Sequence, residues 1–211
     1  MNIEKYLVLN RYLLSQFGVN DIKDLLDELK NKNEGIDSDG RSYFVKSLIG
    51  LDRLQLSKDA LLDYDLNIQC YVKKINFRRQ QVTLKYFQYL AVLFAEIVLD
   101  NLKNKKSEFQ VELNNFLKDY KTNAEIELID DFKEEDLKKL AFWMATGSGK
   151  TLITHINYYQ FFSYNLFSPD NIILITPNEG LSRQHFEELQ KSGISARLYS
   201  GGQNGGLKGK N

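Results

Sequence analysis

Seven consecutive residues, Ala145-Thr146-Gly147-Ser148-Gly149-Lys150-Thr151, supply the groups that a bound polyphosphate needs. Two glycines one residue apart let the backbone turn successive N–H groups inward, forming a nest for an anion. A helix starting near Gly149 adds the positive end of its dipole beneath the phosphates. Lys150 contributes a point charge for the β- and γ-phosphates, and the Thr151 hydroxyl is placed to ligate Mg²⁺. The expected phosphate binders are Thr146, Gly147, Ser148, Gly149, Lys150 and Thr151. Lys150 and Thr151 are also the catalytic candidates, and Thr151 the metal ligand. ATP and Mg²⁺ are the implied cofactors. The general pattern G-x-x-x-x-G-K-[ST] has a glycine where this chain has Met144, so the flanking segments must carry part of the reading.

Those segments have the character such a loop requires. Leu140–Ala145 is a continuous apolar run before the loop, and Lys150–Tyr164 is helix-like after it. A second apolar run spans Asn171–Thr176, a helix-like stretch covers Leu181–Lys191, and a weaker run follows at Ala196–Tyr199. Apolar runs alternating with helices predict parallel β-α-β units with right-handed crossovers. The fold class expected is therefore α/β. Residues 1–135 read as a mainly helical region and 136–211 as the first part of a phosphate-loop domain.

The first region is predicted to be mainly helical, with a polar loop from Asn31 to Arg41. Residues 1–17 place Ile3, Tyr6, Leu7, Leu9, Leu13, Leu14 and Phe17 at helical spacing, and Gly18 stops the run. Asn20 or Asp21 can cap a second helix carrying Ile22, Leu25, Leu26 and Leu29, and Ser57 can cap one that runs to Asn76. Asp37–Gly40 lacks the further oxygen ligands of a calcium loop and reads as a plain turn. Thr83–Lys103 is a long amphipathic helix; the polar, charge-rich stretch 104–138 holds one short helix, Phe109–Tyr120, and a connecting loop. The pair Asp130-Asp131 precedes the phosphate loop, and a capping or loop role suits it.

Composition excludes several classes. Hydrophobic residues make up 43% and charged residues 27%, so the chain can build a core. Lys plus Arg equal Asp plus Glu at 28 each, so no global field draws it onto nucleic acid. A few chosen contacts to a backbone remain open. The single Cys70 rules out an internal disulfide framework and fits a reducing cytoplasm. His155 and His185 lie too far apart in sequence to suggest a metal site. The most apolar stretch, Tyr86–Leu99, is too short to cross a bilayer, and no membrane partner is expected.

Met-Ala-Thr-Gly-Ser-Gly-Lys-Thr at 144–151 resembles motif I of the superfamily 2 (DEAD/DEAH-like) helicases and translocases. Thr176-Pro177-Asn178-Glu179-Gly180-Leu181-Ser182-Arg183-Gln184 resembles their motif Ia, which lies against the nucleic-acid backbone. The resemblance implies nucleic-acid contacts from Thr176, Pro177, Asn178, Ser182, Arg183 and Gln184. The same residues also suit an ordinary strand-to-helix turn with Ser182 as a local cap. Tyr199-Ser200-Gly201-Gly202 is similar to the family's Gly-Gly pair, which adds Gly201 and Gly202. Leu84-Lys85-Tyr86-Phe87-Gln88 resembles the adenine-reading element, with the Gln88 amide at the base edge and Tyr86 packing on it. Alternatively, Tyr86 and Phe87 belong to the core.

Within superfamily 2 the likeness is strongest to the motor (R or Res) subunits of type I and type III restriction enzymes. That resemblance implies an ATP-dependent DNA translocase acting on duplex DNA, with modification or specificity subunits as partners. It also implies a RecA-like domain of which residues 136–211 are a truncated first part, inactive in hydrolysis without the acidic pair of a later strand. Pro169-Asp170 lacks a following Glu-x-Lys, so no nuclease constellation is visible. The competing readings are a helicase or remodelling ATPase without a nuclease, and a non-catalytic helical interaction module.

Overall fold

The computed structural model describes residues 3–124 and 129–199. Eight α-helices run through the described residues: α1 (Val8–Gln16), α2 (Ile22–Leu29), α3 (Tyr43–Leu48), α4 (Lys58–Ile75), α5 (Tyr86–Asn104), α6 (Lys106–Ala124), α7 (Lys150–Tyr164) and α8 (Glu179–Lys191). Short 3₁₀ turns lie at Ile3–Tyr6 and Asp136–Lys138. The helix starts follow the capping chemistry. Asp21 accepts from the Lys23 amide at 2.9 Å, Ser42 from the amides of Phe44 and Val45, and Ser57 from that of Ala60. Each satisfies a donor that the first helical turn leaves unpaired.

α5 is the central helix. Buried residues lie all around it, including Leu90, Leu93, Ile97 and Val98, and it packs against α2, α4, α6 and α7. An all-round apolar helix has no solvent face to present and becomes the axis of a bundle. α1 meets α6 through Tyr12, whose ring stands edge-on to Phe109 and Phe116. α7, which follows the phosphate loop, docks on α4 and α5 through Ile153 and Ile156, both buried in the same core as the helices before residue 135.

Two carboxylates are sealed in this core, and each is surrounded by donors. Asp65 on α4 accepts from the Ser42 amide at 3.0 Å and from the Tyr89 hydroxyl at 2.8 Å. Glu96 on α5 accepts from Asn67 at 2.8 Å, Gln160 at 2.6 Å, Tyr164 at 2.9 Å and Tyr71 at 3.4 Å. Burial raises the Glu96 carboxyl above its ordinary range, and the four donors work against that rise. Tyr71 is pushed up to about 12, chiefly by burial.

The expected α/β fold is corrected here. Among the described residues there is no strand and no sheet; the ladder contact they contain is an isolated antiparallel bridge between Ile36 and Ser42. The three apolar runs at 140–145, 171–176 and 196–199 take no regular element, so the described residues do not form the parallel β-α-β portion of a RecA-like domain. Their side chains stand open: Trp143 is 77% exposed, Ile173 79% and Ile175 87%. A strand is defined by its neighbour's ladder, and an apolar run does not specify that neighbour.

The segment before the phosphate loop runs along α6 instead. The Asn114 side chain accepts from the Phe132 amide at 2.7 Å and donates to its carbonyl at 3.1 Å, while Gln110 donates to the same carbonyl at 2.8 Å. Asp130 and Asp131 lie in this irregular segment, as a loop role requires.

Candidate functional site

α7 begins where the sequence places it. Gly147 and Gly149 have φ of 77° and 83°, in the left-handed region that only glycine enters at little cost. Gly149 is the N-cap of α7 and offers no side chain to the first turn. Asp21, Ser42, Ser57 and Asn178 close the starts of their helices with side-chain oxygens. The α7 amides at Lys150, Thr151 and Leu152 thus face outward with the positive end of the dipole. The Ser148 Oγ is sealed from solvent with no hydrogen-bond partner among the described residues. Lys150 is exposed and its Nζ rests on the Met144 and Ala145 carbonyls at 3.2 and 2.9 Å. Thr151 stands half-buried at the second helical position, and Thr146 is exposed in the turn.

Gln88 reaches this loop from 60 residues upstream. Its Oε1 accepts from the Lys85 amide at 3.0 Å, the returning half of a capping box at the α5 start. Its Nε2 donates to the Ser148 carbonyl at 2.9 Å. Gln88 is 8% exposed, so this contact holds the loop against α5. Tyr86 lies at the first position of α5, half-buried, with its ring 5.3 Å from that of Phe87. The structure therefore brings Gln88 to the loop.

A Cβ at Gly149 would sit 2.4 Å from the Gln88 Nε2. Gly149→Ala is expected to cost about 1–2 kcal/mol from the left-handed backbone alone, with more from displacing Gln88. In a Gln88→Ala background the second cost vanishes. Denaturant titration of the four proteins in this cycle measures the difference. Equal costs in both backgrounds would show that the two residues do not press on each other.

The second group gathers at the start of α8. Asn178 is its N-cap, accepting from the Leu181 amide at 2.9 Å. The Thr176 hydroxyl donates to the Asn178 carbonyl at 3.0 Å and accepts from the Ser182 hydroxyl, 2.5 Å away. Arg183 pairs with Glu179 one turn back, at 2.6 Å. Pro177, Arg183 and Gln184 are exposed. Gly201 and Gly202 lie outside the described residues.

Residues 101–211, just over half the chain, match the family described as type III restriction enzyme, res subunit. The chain belongs to that family. Its members are helicase-like ATPases, and the match spans the phosphate loop and the α8 start together; Tyr86 and Gln88 fall outside it. No curated protein and no solved structure matches this res-subunit chain. No helix among its described residues is long and apolar enough to cross a membrane.

Sequence reading missed what lies between the two groups. His155, one turn into α7, is fully buried, and its Nδ1 is 2.7 Å from the Oγ of Ser192 at the α8 C-cap. Burial, then the positive charges of Arg79 and His185, lower this imidazole from 6.5 to about 4, and Glu188 acts in the opposite sense. Between those values the unfolded chain takes up a proton that the folded chain refuses. Stability is therefore full above pH 6.5 and falls as pH drops towards 4, by up to about 3 kcal/mol. Urea denaturation at pH 7 and 4.5 should show the res-subunit chain losing about 2.5 kcal/mol more than its His155→Asn variant. Parallel losses in both would place the acid sensitivity elsewhere.

Proposed function

We propose that this res-subunit chain binds Mg²⁺-ATP at residues 146–151 and the backbone of duplex DNA at the α8 start, as part of an ATP-driven DNA translocase of a restriction enzyme. The observation that carries the reading is the open N-terminus of α7. Two left-handed glycines aim its first amides outward, no side chain caps them, and a lysine stands at the first helical position. A triphosphate tail is the ligand whose charge and length match that arrangement.

The residues fit the cofactor. The amides of Lys150, Thr151 and Leu152 donate to phosphate oxygens. Lys150 exchanges its hydrogen bonds to two loop carbonyls for a charged partner, a stronger bond. The buried, unpartnered Ser148 hydroxyl is a further donor held at the loop. Mg²⁺ takes few protein ligands, so the Thr151 hydroxyl would suffice as this chain's contribution to holding it. Bound there, Mg²⁺ would supply neutralisation of phosphate charge beside Lys150. Gln88 fixes the loop through the Ser148 carbonyl, and its second amide hydrogen stays available for an adenine edge beside Tyr86.

At α8 the cap closes on itself: Thr176, Asn178 and Ser182 satisfy one another and set the shape of the turn. Arg183 and Gln184, with Pro177, face outward and take the phosphate contacts. The Arg183–Glu179 pair is exposed, so it contributes little and yields readily to a phosphate. Gly201 and Gly202 extend the same backbone contact. Modification or specificity subunits remain the protein partners this family membership suggests, and the free, exposed Cys70 suits a cytoplasmic location.

Titration calorimetry with a nucleotide series tests the site. Mg²⁺-ATP and Mg²⁺-ADP are expected to bind at least about tenfold more tightly than AMP, because the loop reads the β- and γ-phosphates. Equal affinity for all three, or for adenosine, would contradict the proposal.

A further inference from the structure

The phosphate-loop helix and the end of α8 are joined by a run of polar contacts. From the loop, Ser148 is bonded to Gln88 at the head of α5. The chain just upstream of α5 carries Arg78 and Arg79, and both reach the end of α8. The Arg78 amide donates to the Lys191 carbonyl at 3.2 Å. Arg79 donates to the Glu188 carbonyl at 2.9 Å, pairs with the Glu188 carboxylate at 3.6 Å, and bonds the Ser192 hydroxyl. Ser192 bonds His155, and His155 sits one turn from Thr151 on the helix that begins at the loop. Tyr159, the next turn of α7, donates to the Ser192 carbonyl at 2.7 Å.

We infer that Arg79, His155 and Ser192 are positioning residues that lock the end of α8 to the phosphate-loop helix, so that nucleotide at one site and duplex at the other bias each other's affinity. The inference rests on the function proposed above. No residue of α8 itself is fully buried; Phe186 and Leu189 are half-buried and Ile194 is buried just past its end, so these polar contacts supply a large share of what places the helix. A helix held by hydrogen bonds at one end can shift as a unit when its support moves, whereas packed cores resist. The node is also incompletely satisfied. Arg79 Nε and His155 Nε2 are sealed from solvent without a partner among the described residues. Such atoms cost stability, which argues against a purely structural purpose.

The test is a thermodynamic cycle on the 211-residue protein. Affinity for a non-hydrolysable ATP analogue with Mg²⁺ is measured with and without a saturating mixed-sequence DNA duplex, and duplex affinity with and without the analogue. The two ratios must agree, and a factor of about five or more is expected. Ser192→Ala removes the hydroxyl at which His155 and Arg79 meet, and Arg79→Gln loses the charge but keeps a donor. In each, the ratio should fall to within about twofold of unity while the affinity for nucleotide alone stays within about threefold. Circular dichroism and thermal melting confirm that both variants fold; with two independent variants, one failure still leaves a reading. A wild-type ratio of unity with both ligands bound overturns the inference and leaves the proposed function standing. A ratio unchanged in a folded variant overturns it as well. Failure of the wild type to bind the nucleotide at all removes the proposed function, and this inference with it.

Discussion

Lys150→Ala is expected to weaken Mg²⁺-ATP binding about 10- to 100-fold, the loss of one charge-assisted contact of roughly 1.5–3 kcal/mol. The thermal midpoint should move by no more than about a degree or two. The asymmetry follows from where the side chain stands. Lys150 is exposed, and its hydrogen bonds are to two carbonyls of its own loop, which water can satisfy in its place. Its value lies in the charge presented to a ligand. Calorimetry and a melting curve on the same sample check both halves. A large fall in midpoint would make Lys150 a structural residue, and unchanged affinity would put the nucleotide elsewhere.

Glu96→Ala should destabilise the fold by about 3–5 kcal/mol while touching no ligand. The carboxylate is sealed between α4, α5 and α7, and four donors converge on it. Truncation leaves the amides of Asn67 and Gln160 and the hydroxyls of Tyr71 and Tyr164 to find new acceptors in a dry cavity. The Gln160 amide has one other, the Val92 carbonyl at 3.0 Å. Glu96→Gln keeps an acceptor oxygen and should lose markedly less. Because burial raises this carboxyl, its stabilising share is greatest at low pH and declines as pH rises through the raised value. The variants are therefore compared at one pH by denaturant titration. A loss below about 1 kcal/mol for Glu96→Ala would mean that the four partners re-pair without cost.

Local chemistry was legible in the sequence, and long-range pairing was not. Asp21 and Ser57 cap the helices they were expected to cap, and Lys150–Tyr164 is helical over the expected span. These features depend on a few adjacent residues, which the sequence states outright. The strands failed for the opposite reason. Ile172-Ile173-Leu174-Ile175 has the composition of a buried strand, yet burial requires neighbours that no local pattern names.

The site shows the same division. The loop's glycines adopt the left-handed conformations their spacing implies. Gln88 could have been read as a capping residue three positions after Lys85, but nothing within ten residues points to Ser148. His155 and His185 were set aside because they stand far apart in sequence. Folding brings His185, Arg79 and Glu188 close to His155, around a helix end that composition does not mark.

The most direct test follows backbone amides by ¹H–¹⁵N spectroscopy while Mg²⁺-ATP is added to isotopically labelled protein. Resonances of Gly147, Gly149, Lys150, Thr151 and Leu152 should move first and farthest, with one common saturation curve. Shifts confined to other helices, or none at these five amides at millimolar nucleotide, would mean that the start of α7 does not hold a triphosphate.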